Sequence, residues 1–168
     1  IEVDPTNDAP VLRPDSYVAY GGRLTVPVDS AGEESLVAAG ASWKYLDDGS
    51  NPGVEWREAQ FDDSSWSEGN AELGYGDGDE VTRVSFGGDA DNKHITTYFR
   101  HQFNVADPGS SSTMTVRVQR DDGVAVYLNG KEIARDNLPD NAEFDTLASS
   151  VVDNDEESAF FAFEVNPA

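Results

Sequence analysis

Residues 95–105, ITTYFRHQFNV, alternate between two faces. Ile95, Phe99, His101, Phe103 and Val105 fall on one face, and Thr96, Tyr98, Arg100, Gln102 and Asn104 on the other. Only an extended strand, with its side-chain period of two, sorts them this way. Residues 113–119 repeat the pattern, with Met114, Val116 and Val118 on one side. Residues 124–128 lead through Asn129-Gly130 into 131–134, and Asn-Gly between two such runs predicts a hairpin turn with both residues at positive φ. Residues 160–165 read as a last, aromatic strand. No long amphipathic helix is found. One short helical turn is predicted at 62–66, capped by Asp62 or Asp63. The chain is expected to be all-β and antiparallel.

The 168 residues amount to one domain. Hydrophobic residues are only 38%, but 8 Phe, 6 Tyr and 3 Trp supply a core and argue against disorder. Residues 1–14 (IEVDPTNDAPVLRP) carry Pro5, Pro10 and Pro14 and read as a linker. The expected division is a linker and N-terminal strand over 1–34, then a folded domain over 35–168. The chain starts at Ile1 without a signal peptide, so it is expected to derive from something longer.

With 33 acidic and 11 basic residues the net charge is −22. Phosphate contacts need clustered Lys and Arg, so nucleic acid is excluded as a partner. The charge also argues against docking on anionic membranes, and no apolar run is long enough to insert in one. Without cysteine there are no disulfides, thiolate metal sites or thiol catalysis, and two His do not make a His-rich metal site. An acidic surface with only Lys44, Lys93 and Lys131 as lysines suits a salty medium or a calcium-binding extracellular module.

Several segments together resemble a known family: SLVAAGASWKYLDDG, W-x4-FDDSSW, LGYGDGDE, TTYFRHQFNV and RDDGVAVYLNGKEIARDNLP. They are similar to the galactose-binding-like accessory domains of secreted bacterial proteins and glycosidases. The first 28 residues, with NDAPVL, DSY and GGRLTVPV, resemble junctions between cadherin-like repeats of large bacterial surface proteins. The resemblance implies an antiparallel jelly-roll β-sandwich over most of 35–165, non-catalytic, secreted or at the cell surface, often with structural calcium and often binding carbohydrate. A further closing strand usually follows the position of 160–165 in that family. The N-terminal strand at 23–28, or a neighbouring chain, is the expected substitute.

The candidate calcium ligands are Asp77, Asp79, Asp89 and Asp91 in the Gly-rich loop 74–93, with Asp47 and Asp48 in addition. Calcium takes hard oxygens, and Asp separated by Gly lets carboxylates and carbonyls converge. The alternative is that these Asp form turns and surface charge. Trp56, Tyr75 and Tyr98 are candidate sugar-stacking platforms flanked by Arg57, with Trp43 and Arg83 also available. Against this, all three Trp could fill the core. Tyr98, opposite Phe99, is expected to be the exposed one of its strand. His101 reads as a core or rim residue, and His94 as solvated. No Ser-His-Asp arrangement or selected carboxylate pair points to an enzyme. Two functions follow as expectations: calcium-assisted carbohydrate binding, or a structural subunit of an extracellular fibre or adhesin joined to neighbouring domains by tandem linkage or strand donation.

Overall fold

A computed structural model describes residues 20–28, 32–76, 78, 80–105, 114–152, 154–157 and 159–165; for 20–28, 32–34, 154 and 155 it describes the backbone alone. Among them the regular secondary structure is nearly all strand. The strands are β1 (Tyr20–Val28), β2 (Gly32–Val37), β3 (Ser42–Leu46), β4 (Ser67–Asn70), β5 (Leu73–Gly74), β6 (Thr82–Arg83), β7 (Tyr98–Arg100), β8 (Met114–Gln119), β9 (Val124–Leu128), β10 (Lys131–Asp136) and β11 (Phe161–Val165). A 3-10 turn spans Glu55–Arg57, and a one-turn helix, α1, spans Asn154–Glu157. No helix among the described residues is long and apolar enough to cross a membrane.

The sheets are small. Among the described residues one has the order β11-β8-β1-β2, a second β4-β3-β7, and there are two pairs, β10-β9 and β5-β6. All ladders are antiparallel except the two-residue β5-β6 pairing. The N-terminal strand expected at 23–28 lies within β1, between β8 and β2.

The hairpin forms where it is predicted. Asn129 and Gly130 have φ of 49° and 84°, and Leu128 pairs with Lys131. Strand β8 also keeps its alternation, with Met114, Val116 and Val118 buried and the residues between them half-buried. The predicted helical turn at 62–66 is a hydrogen-bonded turn instead: the Asp62 carboxylate accepts from the Ser64 amide at 3.1 Å, and the Trp66 amide donates to the Asp63 carbonyl at 3.0 Å. The Asp62 bond closes a turn on the amide two residues on, and the chain passes straight from it into β4.

Two apolar clusters form the interior. The larger joins Val37, Trp43, Leu73, Phe99, Val116, Val118, Val124 and Val126 with their neighbours. The smaller joins Trp56, Trp66, Tyr98, Ala125, Tyr127 and Leu138. Strands β7 and β9 stand between them. Phe99 enters one cluster and Tyr98 the other; on β9, Val124 and Val126 face one and Ala125 and Tyr127 the other. Both faces of these strands are therefore buried. The segment 55–66 covers the outer face.

Arg100 holds that cover in place. It is buried, and its Nε donates to Asp63 Oδ2 at 2.9 Å while Nη1 donates to the carbonyls of Trp56 and Glu58. Its guanidinium also lies over the Phe61 ring.

Candidate functional site

The second cluster corrects the reading of the aromatics. Trp56 and Tyr98 have no exposed surface at all, and Tyr75 is buried. Trp56 packs edge-on against Tyr98 and Tyr127, with ring centres 5.3 and 5.9 Å apart, and lies beside Trp66. Tyr75 is covered by Phe86, 4.9 Å away, and by the Lys93 ammonium. A ring without a solvent face cannot stack a pyranose, so these three are core residues. Trp43 and Trp66 are buried too. Arg57 is half-buried with its guanidinium over the Tyr127 ring. Arg83 is exposed on β6.

The acidic loops are organised by a residue expected to be solvated. His94 is half-buried, and its Nδ1 donates to the Asp47 carbonyl at 2.8 Å. Gly49 and Gly87 both lie flat against its ring: a Cβ on either would come within 2.9 Å of it. The loops holding Asp47 and Asp48, and Asp89 and Asp91, thus meet at His94. Asp47 Oδ2 accepts from the Ser85 amide at 2.6 Å, tying them again. Asp48 Oδ1 accepts from the Ser50 amide and hydroxyl, and Asp89 Oδ1 accepts from the Asp91 amide. The Ser50 hydroxyl, with the Ser50 amide and the nearby His94, holds the Asp48 carboxyl below its ordinary value. Among the described residues no three His, Asp or Glu side chains are grouped to hold a metal ion. Asp77 and Asp79 lie outside those residues. His101 is a rim residue: Nδ1 bonds to the Ser42 carbonyl and the ring leans on Trp43.

A cleft of about 600 Å³ opens elsewhere, lined by Arg120, Asp136, Asn137, Ser150, Val151, Val152 and Glu156. Arg120 follows β8, Asp136 ends β10, and Glu156 belongs to α1. The Arg120 side chain is 6% exposed. Its Nε donates to Asp136 Oδ2 and its Nη1 to the Asp122 carbonyl, and the guanidinium lies 4.3 Å from the centre of the Phe161 ring. Asn137, at φ 52°, donates from Nδ2 to the carbonyls of Asp122 and Ser150, and its Oδ1 accepts from the Ser150 hydroxyl. Asp122 Oδ1 accepts from the Val152 amide. These bonds stitch the 149–152 segment to the two turns that flank the β9-β10 hairpin.

Searches against models of protein families, curated proteins and solved structures find no match to this chain. The cleft is the guide to a site that the described residues supply. In the sequence Asp121-Asp122-Gly123 reads as a turn and Asp136-Asn137-Leu138-Pro139 as a loop, with no motif to mark the other lining residues. The one local signal is that Arg120-Asp121-Asp122 and Arg135-Asp136-Asn137 bracket the hairpin, each an Arg followed by short acceptors.

Proposed function

We propose that this domain is a non-catalytic carbohydrate-binding module of a secreted or cell-surface protein, and that the Arg120 cleft holds the sugar. One observation carries the reading: the cleft is open, and its wall sets a buried, fixed guanidinium among carboxylates and an amide. Sugars offer hydroxyls that donate and accept, and such a wall answers both. The sequence resemblance to galactose-binding-like jelly-roll domains supports the same reading. In this account Arg57, Trp56, Tyr75 and Tyr98 support the fold behind the site and do not touch the ligand.

Calcium belongs to the proposal through the acidic loops. The carboxylates of Asp47, Asp48, Asp89 and Asp91 are hard oxygen donors of the kind that ion takes, and its role there would be to order the loops.

The test is a glycan array probed with the folded domain, with calcium and with chelator, alongside Val151→Trp. Val151 is 60% exposed at the cleft, so the larger ring blocks the opening without disturbing the core. The expected result is a glycan signal that Val151→Trp abolishes while circular dichroism is unchanged. A blank array, or a signal indifferent to Val151→Trp, refutes the cleft as a sugar site.

A second reading is supported by the sheet edge. Among the described residues β11 pairs only with β8, and Phe160 beside it is half exposed. An open edge accepts a strand from a neighbour. On that reading the domain is an assembly unit, and sedimentation at high protein concentration would show a defined oligomer.

A further inference from the structure

The inference concerns what the cleft selects, and it rests on the carbohydrate reading above. Arg120 has three nitrogen positions, and two are committed: Nε to Asp136 and Nη1 to the Asp122 carbonyl. The third, Nη2, has no hydrogen bond among the described residues; the Glu156 carboxylate stands 3.7 Å from it, beyond hydrogen-bond reach. The stem of Arg120 is buried, but this last nitrogen faces the open cleft, where an incoming group can reach it. Here the remaining donor lies on the cleft wall, with a carboxylate beside it that is 57% exposed.

We infer that Nη2 of Arg120 and the carboxylate of Glu156 form a paired donor and acceptor that reads a neutral sugar hydroxyl, and that Glu156 is the specificity-determining residue that turns acidic sugars away. A hydroxyl oxygen placed at an ordinary hydrogen-bond length of about 2.8 Å from both groups accepts from Nη2 and donates its own proton to Glu156. Two hydroxyls on neighbouring carbons fit in the same way, one on each group. A ligand carboxylate accepts from Nη2 but has no proton to give Glu156. Charge acts in the same direction. Arg120 carries one positive charge, and Asp136 and Glu156 carry two negative ones, so the local balance is already negative before a ligand arrives. The Asp122 bond and the Phe161 ring hold the guanidinium in one orientation, so little freedom is lost when a ligand binds.

Matched sugar pairs test this. Glucose and glucuronate, and galactose and galacturonate, differ only in oxidation at one carbon. Each is titrated into the wild-type domain and into Glu156→Gln, following the Arg120 Nε–H and the Asn137 side-chain amide by NMR. The expected result is that at least one neutral sugar shifts both signals. Its uronate binds at least about tenfold more weakly, the lower end of what one like charge at contact distance costs in a half-exposed site. Glu156→Gln, at an exposed position, keeps the fold and narrows that gap severalfold. A uronate that binds as tightly as its neutral partner overturns the inference and leaves the carbohydrate reading standing, as does a gap that Glu156→Gln leaves unchanged. If no sugar shifts either signal in folded protein, the carbohydrate reading fails and the inference fails with it.

Discussion

Arg100 and Tyr127 both hold the segment 55–66 against the sheets, and each has a measurable consequence. Removing one member of a buried ion pair leaves the other charge without its partner, at a cost of about 3–5 kcal/mol. Arg100→Ala is therefore expected to lower the unfolding free energy by about that amount in a urea titration, because Asp63 and the carbonyls of Trp56 and Glu58 lose their donor together. Trp56→Ala empties the centre of the second cluster and is expected to cost about 3–5 kcal/mol by the same measurement. Tyr127 responds to pH. Burial first, and then its hydrogen bond to Glu132, raise its phenol above the ordinary value near 10. A raised value in the folded state means the contribution is complete below the ordinary value and is lost as pH rises toward the higher one. Absorbance at alkaline pH is expected to show the Tyr127 phenolate appearing only with unfolding, and Tyr127→Phe to flatten the alkaline loss of stability. Asp48 has the opposite sign: its value is lowered, so its bond to Ser50 persists above the ordinary carboxylate range and is lost as pH falls through the lowered value.

The turn of hairpin β9-β10 is legible in the sequence, because its chemistry is local: Asn129 and Gly130 need only each other and positive φ, whereas β10 runs two residues beyond the expected 131–134 and carries an irregularity between Glu132 and Ala134. Its seat was not legible. A Cβ on Gly130 would come within 2.7 Å of Glu58 Oε1, a residue far away in sequence. Gly130→Ala is expected to cost about 1–3 kcal/mol from the backbone conformation alone. Adding Glu58→Ala should recover only the part due to collision, which thermal melts of the single and double variants separate. The alternation of β8 was also legible, since one of its faces is buried and the other only partly so. Strand β7 misled because alternation reports polarity, whereas both its faces are covered: Arg100 lies on the polar face and is buried by its bonds to 56–63. The β5-β6 pairing is two residues long and parallel, too short for any periodicity to announce. The cleft draws on residues after β8, at the end of β10, in the 149–152 segment and on α1, so only the folded chain brings them together.

For the whole molecule, a net charge of −22 on one domain means self-repulsion that added salt relieves. The melting temperature is expected to rise with sodium chloride. At matched ionic strength, a further rise with calcium but not with magnesium would identify specific ligation in the loops around His94, whereas equal curves would assign the whole effect to screening. The sheet has a further consequence. Strands β1 and β11 lie on either side of β8, each antiparallel to it, so they run in the same direction. Tension applied to the chain ahead of Tyr20 and beyond Val165 would therefore pull along the strands from opposite ends of the sheet. The β1-β8 and β8-β11 ladders would then be loaded in shear, with their bonds resisting together instead of opening one after another. The order β11-β8-β1 thus gives this domain the geometry of a mechanical clamp.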